Sequence, residues 1–306
     1  MEFSRKLLIS MCLFMIVGMG CTNRDTGSET EPKIEGKPFL IGLIPEHNLF
    51  KQVNRYEPLA DYLSKKTGLD IKLKVLARYG NIIDNFVSAD LDAAFFGSFT
   101  YALAHAKLEV EPIARPESVD GISTYHGLIL VREDSGIKSA EDMKGKSFAF
   151  VDSATTAGYL LPLVYFKENG IKDYKKFLKE TYFTGTHEDA IYDVFNKKAD
   201  VGAAKNTVFA RLVSEDHRLR NELVCLKRSP DVPENALAVR KGLEDSIRQK
   251  LKETLLNMHH DPDGIIILQN FGARRFIETN DDDYINVYKY TQQIGLSLST
   301  YHYVNE

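Results

Sequence analysis

From residue 38 onward the chain alternates short apolar runs with amphipathic stretches, and nothing else in the sequence constrains the fold as tightly. PFLIGLIPE reads as a strand, and VNRYEPLADYLSKKTG as an amphipathic helix stopped at Gly68. DIKLKVLA and AAFFGS read as further strands, each followed by a helix (YGNIIDNFVSADLD, FTYALAHAKL). Such alternation predicts an α/β chain of mainly parallel strands with helical crossovers. A longer extended run, GISTYHGLILVRED, interrupts it; the pattern then restarts with SFAFVD, AGYLLPLVYFKENG, HEDAIYDVFNKKAD, VGAAK and NTVFARLVSED. LVCLKRS and ALAVRK are extended again, and from Leu243 the signals are mostly helical. Two α/β units in series, joined by extended crossings near 127–133 and 228–238, describe a clamshell of two lobes on a two-stranded hinge. The expected lobes are 38–127 with 234–306, and 128–233.

In open parallel sheets ligands sit beyond the carboxyl ends of the strands, against helix N-termini. Four places qualify: IPEHN, FFGSFTY, VDSATTAG and AAKNT. In DSATTAG, Thr155, Thr156 and Ala157 precede Gly158 where a strand turns into a helix. The first N–H groups of a helix have no intrahelical partner. With two hydroxyls and the helix dipole they suit a tetrahedral oxyanion such as phosphate or a phosphonate headgroup. Threonine at a helix start is equally an ordinary N-cap, so both readings stand. Thr186 and His187 repeat the pattern before a helix with Glu188 and Asp189 in its first turn: either a cap beside a solvated histidine, or a second oxyanion donor. Ser98, Thr100 and Tyr101 stand at another strand end, where they are either site donors or a packed strand running into a capped helix; Tyr79 and Tyr125 are either rim donors or ordinary core or surface fillers. Lys205 and Asn206 close a strand of small residues, where the lysine is either an exposed strand end or a point charge for an anion.

Other classes find little support. The sequence holds no G-x-S-x-G elbow, no G-x-x-x-x-G-K-[ST] loop and no cysteine pair for a metal, so no enzyme, cofactor or metal site is expected. A formal charge of −4 without a Lys/Arg block argues against nucleic-acid binding. At the N-terminus, MEFSRK precedes the apolar run LLISMCLFMIVGMG, which is of signal-peptide length. Its end at Gly20-Cys21 resembles a bacterial lipoprotein signal, in which Cys21 would be lipidated, although Gly18 stands where such signals carry Leu. The segment 21–37 has almost no apolar content and is expected to be a tether. About 270 residues remain for two lobes. With Cys12 in the signal and Cys21 lipidated, Cys225 has no internal disulfide partner.

IGLIPEHN, YEPLADYLSKKTG, AAFFGSFTYALA, VREDSGIKSAEDMKGKSFAFVDSATTAGYLLP, GTHEDAI and ADVGAAKN together resemble the phosphate/phosphite/phosphonate-binding components of bacterial ABC importers. The resemblance spans nearly the whole chain after the tether. It implies the type II periplasmic-binding fold, a phosphorus oxyanion held in the cleft, and delivery to a membrane permease driven by an ATPase. It also implies an exported, lipid-anchored, monomeric protein; the same cleft would serve a lipid-anchored sensor for a signalling partner. By the same resemblance, Thr155 and Thr156 hold the phosphorus oxygens, and Ala157 replaces a further serine but keeps its N–H. His187 contacts the same oxygens, and Tyr79 and Tyr125 line the cleft. Members that take aminoalkylphosphonates hold the amine with carboxylates after ADxGA and on the returning crossing. Here those stretches read AAKNT and VPEN, with Asn235 in place of Asp and Glu234 beside it. A ligand without an amine is therefore expected: phosphate, phosphite or a simple alkylphosphonate.

Overall fold

The computed structural model describes residues 37–46 and 49–304. The expected signal peptide, Cys21 and all of the expected tether but Lys37 lie outside the described residues. Thirteen strands follow one another among the described residues: β1 Phe39–Leu43, β2 Ile71–Val75, β3 Ala93–Phe96, β4 Glu111–Ser118, β5 Thr124–Tyr125, β6 Gly127–Arg132, β7 Ser147–Phe150, β8 Glu180–Phe183, β9 Val201–Lys205, β10 Leu223–Arg228, β11 Val232–Pro233, β12 Ala236–Val239 and β13 Ala273–Glu278. They form a six-stranded sheet in the order β13-β4-β12-β3-β1-β2 and a five-stranded sheet in the order β10-β6-β9-β7-β8. Strands β1, β2 and β3 run parallel, as do β7, β8 and β9; in each sheet a returning strand, β12 or β6, lies antiparallel beside them. AAFF and VGAAK are buried along their whole length, which is why they read as continuous apolar runs and not as alternating ones.

The crossing between the sheets is shorter than the sequence suggested. Residues 127–132 are a strand of the second sheet, paired to both β9 and β10. The crossing proper is β5 against β11, a two-stranded antiparallel ribbon pairing Tyr125 with Val232 and Thr124 with Pro233. Three strands gave no clear sequence signal. Strand β4 carries Pro112 and Pro116, which demote a strand pattern. Edge strands β8 and β13 are largely half-buried or exposed, so they lack an apolar run.

Each sheet is covered on both faces by apolar clusters. One cluster is continuous across the two sheets, joining Phe96, Phe99 and Ala102 to Val151, Ala154, Ala157 and Leu160. The C-terminal segment reinforces this junction. After the helix Ile285–Ile294, Tyr301 packs on Phe99 at 5.7 Å and donates a hydrogen bond of 2.8 Å to the carbonyl of Ser153. The carboxyl ends of β1, β3, β7 and β9 are thereby directed at one another, and the site is built there.

Candidate functional site

Strand β7 ends at Phe150, and the chain makes a tight reversal before the helical segment that starts at Thr156. Val151 donates to the carbonyl of Gly158 (3.2 Å), folding the turn back on its own strand. A Cβ at Gly158 would stand 2.4 Å from the side chain of Val151 and 2.8 Å from Thr155 Oγ1, so only glycine fits. The first turn, Thr156–Leu160, is π-helical, with Leu160 donating to Thr155; it runs on into the α-helix Leu161–Glu168. Such wide turns often mark functional segments. Among the described residues the N–H groups of Thr156, Ala157 and Gly158 have no hydrogen-bond partner.

Thr155 is not a side-chain cap. Its hydroxyl donates to the carbonyl of Asp152 at 2.7 Å and stays within the turn. Thr156 reaches across to the other sheet, where its Oγ1 accepts the N–H of Phe99 at 2.9 Å. Phe99 lies in the first turn of the helix Ser98–Leu108, which follows β3, and Thr100 Oγ1 in that turn donates to the carbonyl of Ala154 (3.2 Å). Two helix N-termini thus face each other at the junction, and their positive ends converge. Ser98 is turned to the hinge, donating to the carbonyl of Pro233 (2.6 Å).

Two further donors close on this point. His187 is buried, contrary to the solvated alternative, while Thr186 does cap its helix by accepting the N–H of Asp189 (3.0 Å). His187 Nδ1 accepts the backbone N–H of Lys205 at 3.3 Å, so the neutral ring carries its proton on Nε2. Tyr79 packs edge-on against His187, with ring centroids 5.9 Å apart. Its hydroxyl is buried without a hydrogen-bond partner, and burial, with Glu46 and Asp152 nearby, holds its pKa well above that of a free phenol. A buried hydroxyl left unpaired costs about 1–3 kcal/mol, which a ligand oxygen would offset.

The opposite wall is saturated. Lys205, at the end of β9, is 3% exposed, so it is not an exposed strand end. Nor is it an isolated point charge. Its Nζ donates to Glu46 Oε1 (2.9 Å), to Glu234 Oε1 and to Asn235 Oδ1 (3.3 Å), and lies 4.3 Å from the centre of the Tyr125 ring. Burial alone would discharge the amine, but Glu234 and Glu46 more than offset it and hold the ammonium protonated above its ordinary range. Tyr125 is itself buried, which raises its pKa; the Lys205 charge and the neighbouring Thr156 and Ser98 hydroxyls pull it back. A groove of about 810 Å³ opens on the solvent side of this cluster, lined in part by Lys51, Arg55, Asn206 and Arg211.

Tyr79, His187, Lys205, Tyr125 and Asn235 therefore form one contiguous network, with Ser98, Thr155, Thr156 and Ala157 in the adjoining turns. Asn206 sits at its edge, its Oδ1 accepting the N–H of His126 at 2.9 Å. Tyr101 does not join it. That ring stacks on Tyr284 (4.0 Å) and its hydroxyl donates to Asp281 (2.8 Å), contacts made by the C-terminal region. Glu46 was missed as a site residue, although it stands in IPEHN, one of the four strand ends singled out. Glu234 was noted only as a neighbour of Asn235, and its partner could not be read from the chain.

The chain is similar to known proteins over most of its length. Residues 41–284 match the family model for the periplasmic substrate-binding protein of phosphonate ABC transporters. The phosphate-import protein PhnD of Mycolicibacterium smegmatis is 23% identical over 257 residues, covering 81% of this chain and 80% of that one. A binding-protein component of a phosphonate ABC transporter from Pseudomonas aeruginosa superposes with a TM-score of 0.77 at 24% identity, covering 85% of this chain and 87% of the other. PhnD1 of Prochlorococcus marinus, solved with methylphosphonate, gives a TM-score of 0.74 at 22% identity, covering 85% and 98%. These structural likenesses establish the type II periplasmic-binding fold. The chain belongs to the family of extracytoplasmic substrate-binding proteins that serve phosphonate ABC transporters.

Proposed function

We propose that the protein captures a small phosphorus oxyanion, namely phosphate, phosphite or a simple alkylphosphonate, at the junction of two hinged lobes and presents it to an ABC permease. The observation that carries this reading is the turn at Thr156, whose successive N–H groups lack partners beside a second helix N-terminus. Around it stand a histidine protonated at Nε2 and an unpartnered tyrosine hydroxyl. Each hydrogen bond to a charged oxygen contributes about 1.5–3 kcal/mol, so four or five would support micromolar binding after the cost of association. The relatives' ligands, phosphate in one case and methylphosphonate in another, fit that chemistry.

The lobes in this reading are 38–127 with 234–306, and 128–233, hinged at the β5–β11 ribbon. Attachment through a lipidated Cys21 and a monomeric state complete the proposal. Calorimetric titration with phosphate, phosphite and methylphosphonate, repeated on Thr155→Ala/Thr156→Ala, tests the central point. Binding by the native chain and its loss in the variant is the expected pair of results; the empty variant should still fold cooperatively but melt lower, because it loses the bonds to the Phe99 N–H and the Asp152 carbonyl. Unaltered binding in the variant would place the ligand elsewhere.

A further inference from the structure

Lys205 and the groups around it belong to different halves of the molecule. The lysine comes from β9 in the five-stranded sheet. Glu46 follows β1, and Glu234 and Asn235 precede β12, both in the six-stranded sheet; Tyr125 stands in the hinge ribbon. Two carboxylates, an amide oxygen and the face of an aromatic ring, all buried or nearly so, make a complete receptor for an ammonium group. Glu46 and Glu234 share this one ammonium. Asn235 directs its oxygen at Nζ while its buried Nδ2 has no partner, an orientation explained by the cation it accepts from. The cage also adjoins the oxyanion junction, because Tyr125, whose ring lies under Lys205, packs in the same apolar cluster as Ala154 and Ala157 of the turn, and His187 accepts the N–H of Lys205.

We propose that Lys205 is a built-in ammonium that sets specificity. Its Nζ occupies, on closure of the lobes, a cage able to take the amino group of an aminoalkylphosphonate. The residue thereby excludes amino-bearing ligands and supplies from the protein the cation that such a ligand would bring. This rests on the phosphorus-oxyanion reading above. Removing the lysine side chain takes from Glu46 and Glu234 the ammonium they share, and a carboxylate that loses its cation in a largely buried site is far costlier than a paired one. A phosphonate carrying its own ammonium restores the pairing; methylphosphonate does not.

The test is calorimetric titration of the native chain, Lys205→Ala, and Lys205→Ala/Glu234→Gln with methylphosphonate and with 2-aminoethylphosphonate. The double variant keeps the net charge of the cluster, one negative in both cases, and guards against misfolding of the single one. The native chain is expected to prefer methylphosphonate, and both variants to shift that preference toward 2-aminoethylphosphonate by about tenfold or more, a difference near 1.4 kcal/mol. A ratio of affinities unchanged in the folded variants would overturn the proposal while leaving the oxyanion reading intact. Failure of the native chain to bind phosphate, phosphite or either phosphonate would remove that reading, and this inference with it.

Discussion

The turn at Thr156 and the cluster at Lys205 lie on facing sides of one junction, yet they handle polar groups in opposite ways. At the turn, N–H groups and the Tyr79 hydroxyl are withdrawn from water without partners. At the cluster, a fully buried ammonium is surrounded by acceptors supplied by the protein. Unpaired donors in a buried site are a standing cost that a ligand can cancel, whereas a paired ion cluster offers a ligand little to gain. On the function proposed here, the first wall holds the anion and the second decides what else the anion can carry.

Four substitutions would break or sharpen that contrast. Gly158→Ala is expected to have the largest effect. Its Cβ cannot sit 2.4 Å from the Val151 side chain, so the turn must shift, at about 1–3 kcal/mol of stability with binding abolished. Thermal melting and calorimetry read the two effects; native-like binding would show that the turn is not the site. Thr156→Ala comes next. It leaves the Phe99 N–H without its acceptor, and affinity for methylphosphonate should fall by about 2 kcal/mol, near thirtyfold. Tyr79→Phe should weaken binding by about tenfold while the empty protein melts at the same temperature or higher, because the hydroxyl it removes is unsatisfied. Smallest is Tyr101→Phe. It deletes the bond to Asp281, costs about 1 kcal/mol of stability and leaves affinity unaltered; a binding defect there would contradict its placement outside the site.

Much of this was legible in the chain because it depends on local pattern. Apolar runs ended by small and hydroxyl residues marked the strand ends, and DSATTAG marked the turn. The prolines of β4 and the half-exposed edges β8 and β13 hid three strands, since strand signals come from continuous or alternating burial. Lys205 was misread for a different reason. Its carboxylate partners stand 159 and 29 positions away, and pairings of that kind exist only after the lobes meet. Tyr101 was misplaced likewise, as Asp281 lies 180 positions downstream. Thr155 looked like a cap because Ser/Thr hydroxyls favour helix starts, but the wide first turn and the Asp152 carbonyl drew it inward.

The most direct measurement is a crystal structure of the protein grown with methylphosphonate. The phosphonate oxygens should lie within about 3 Å of the N–H groups of Thr156 and Ala157, with His187 Nε2 and the Tyr79 hydroxyl completing their coordination. A phosphonate bound instead in the outer groove beside Lys51, Arg55 and Arg211, with the Thr156 turn unchanged, would contradict the account.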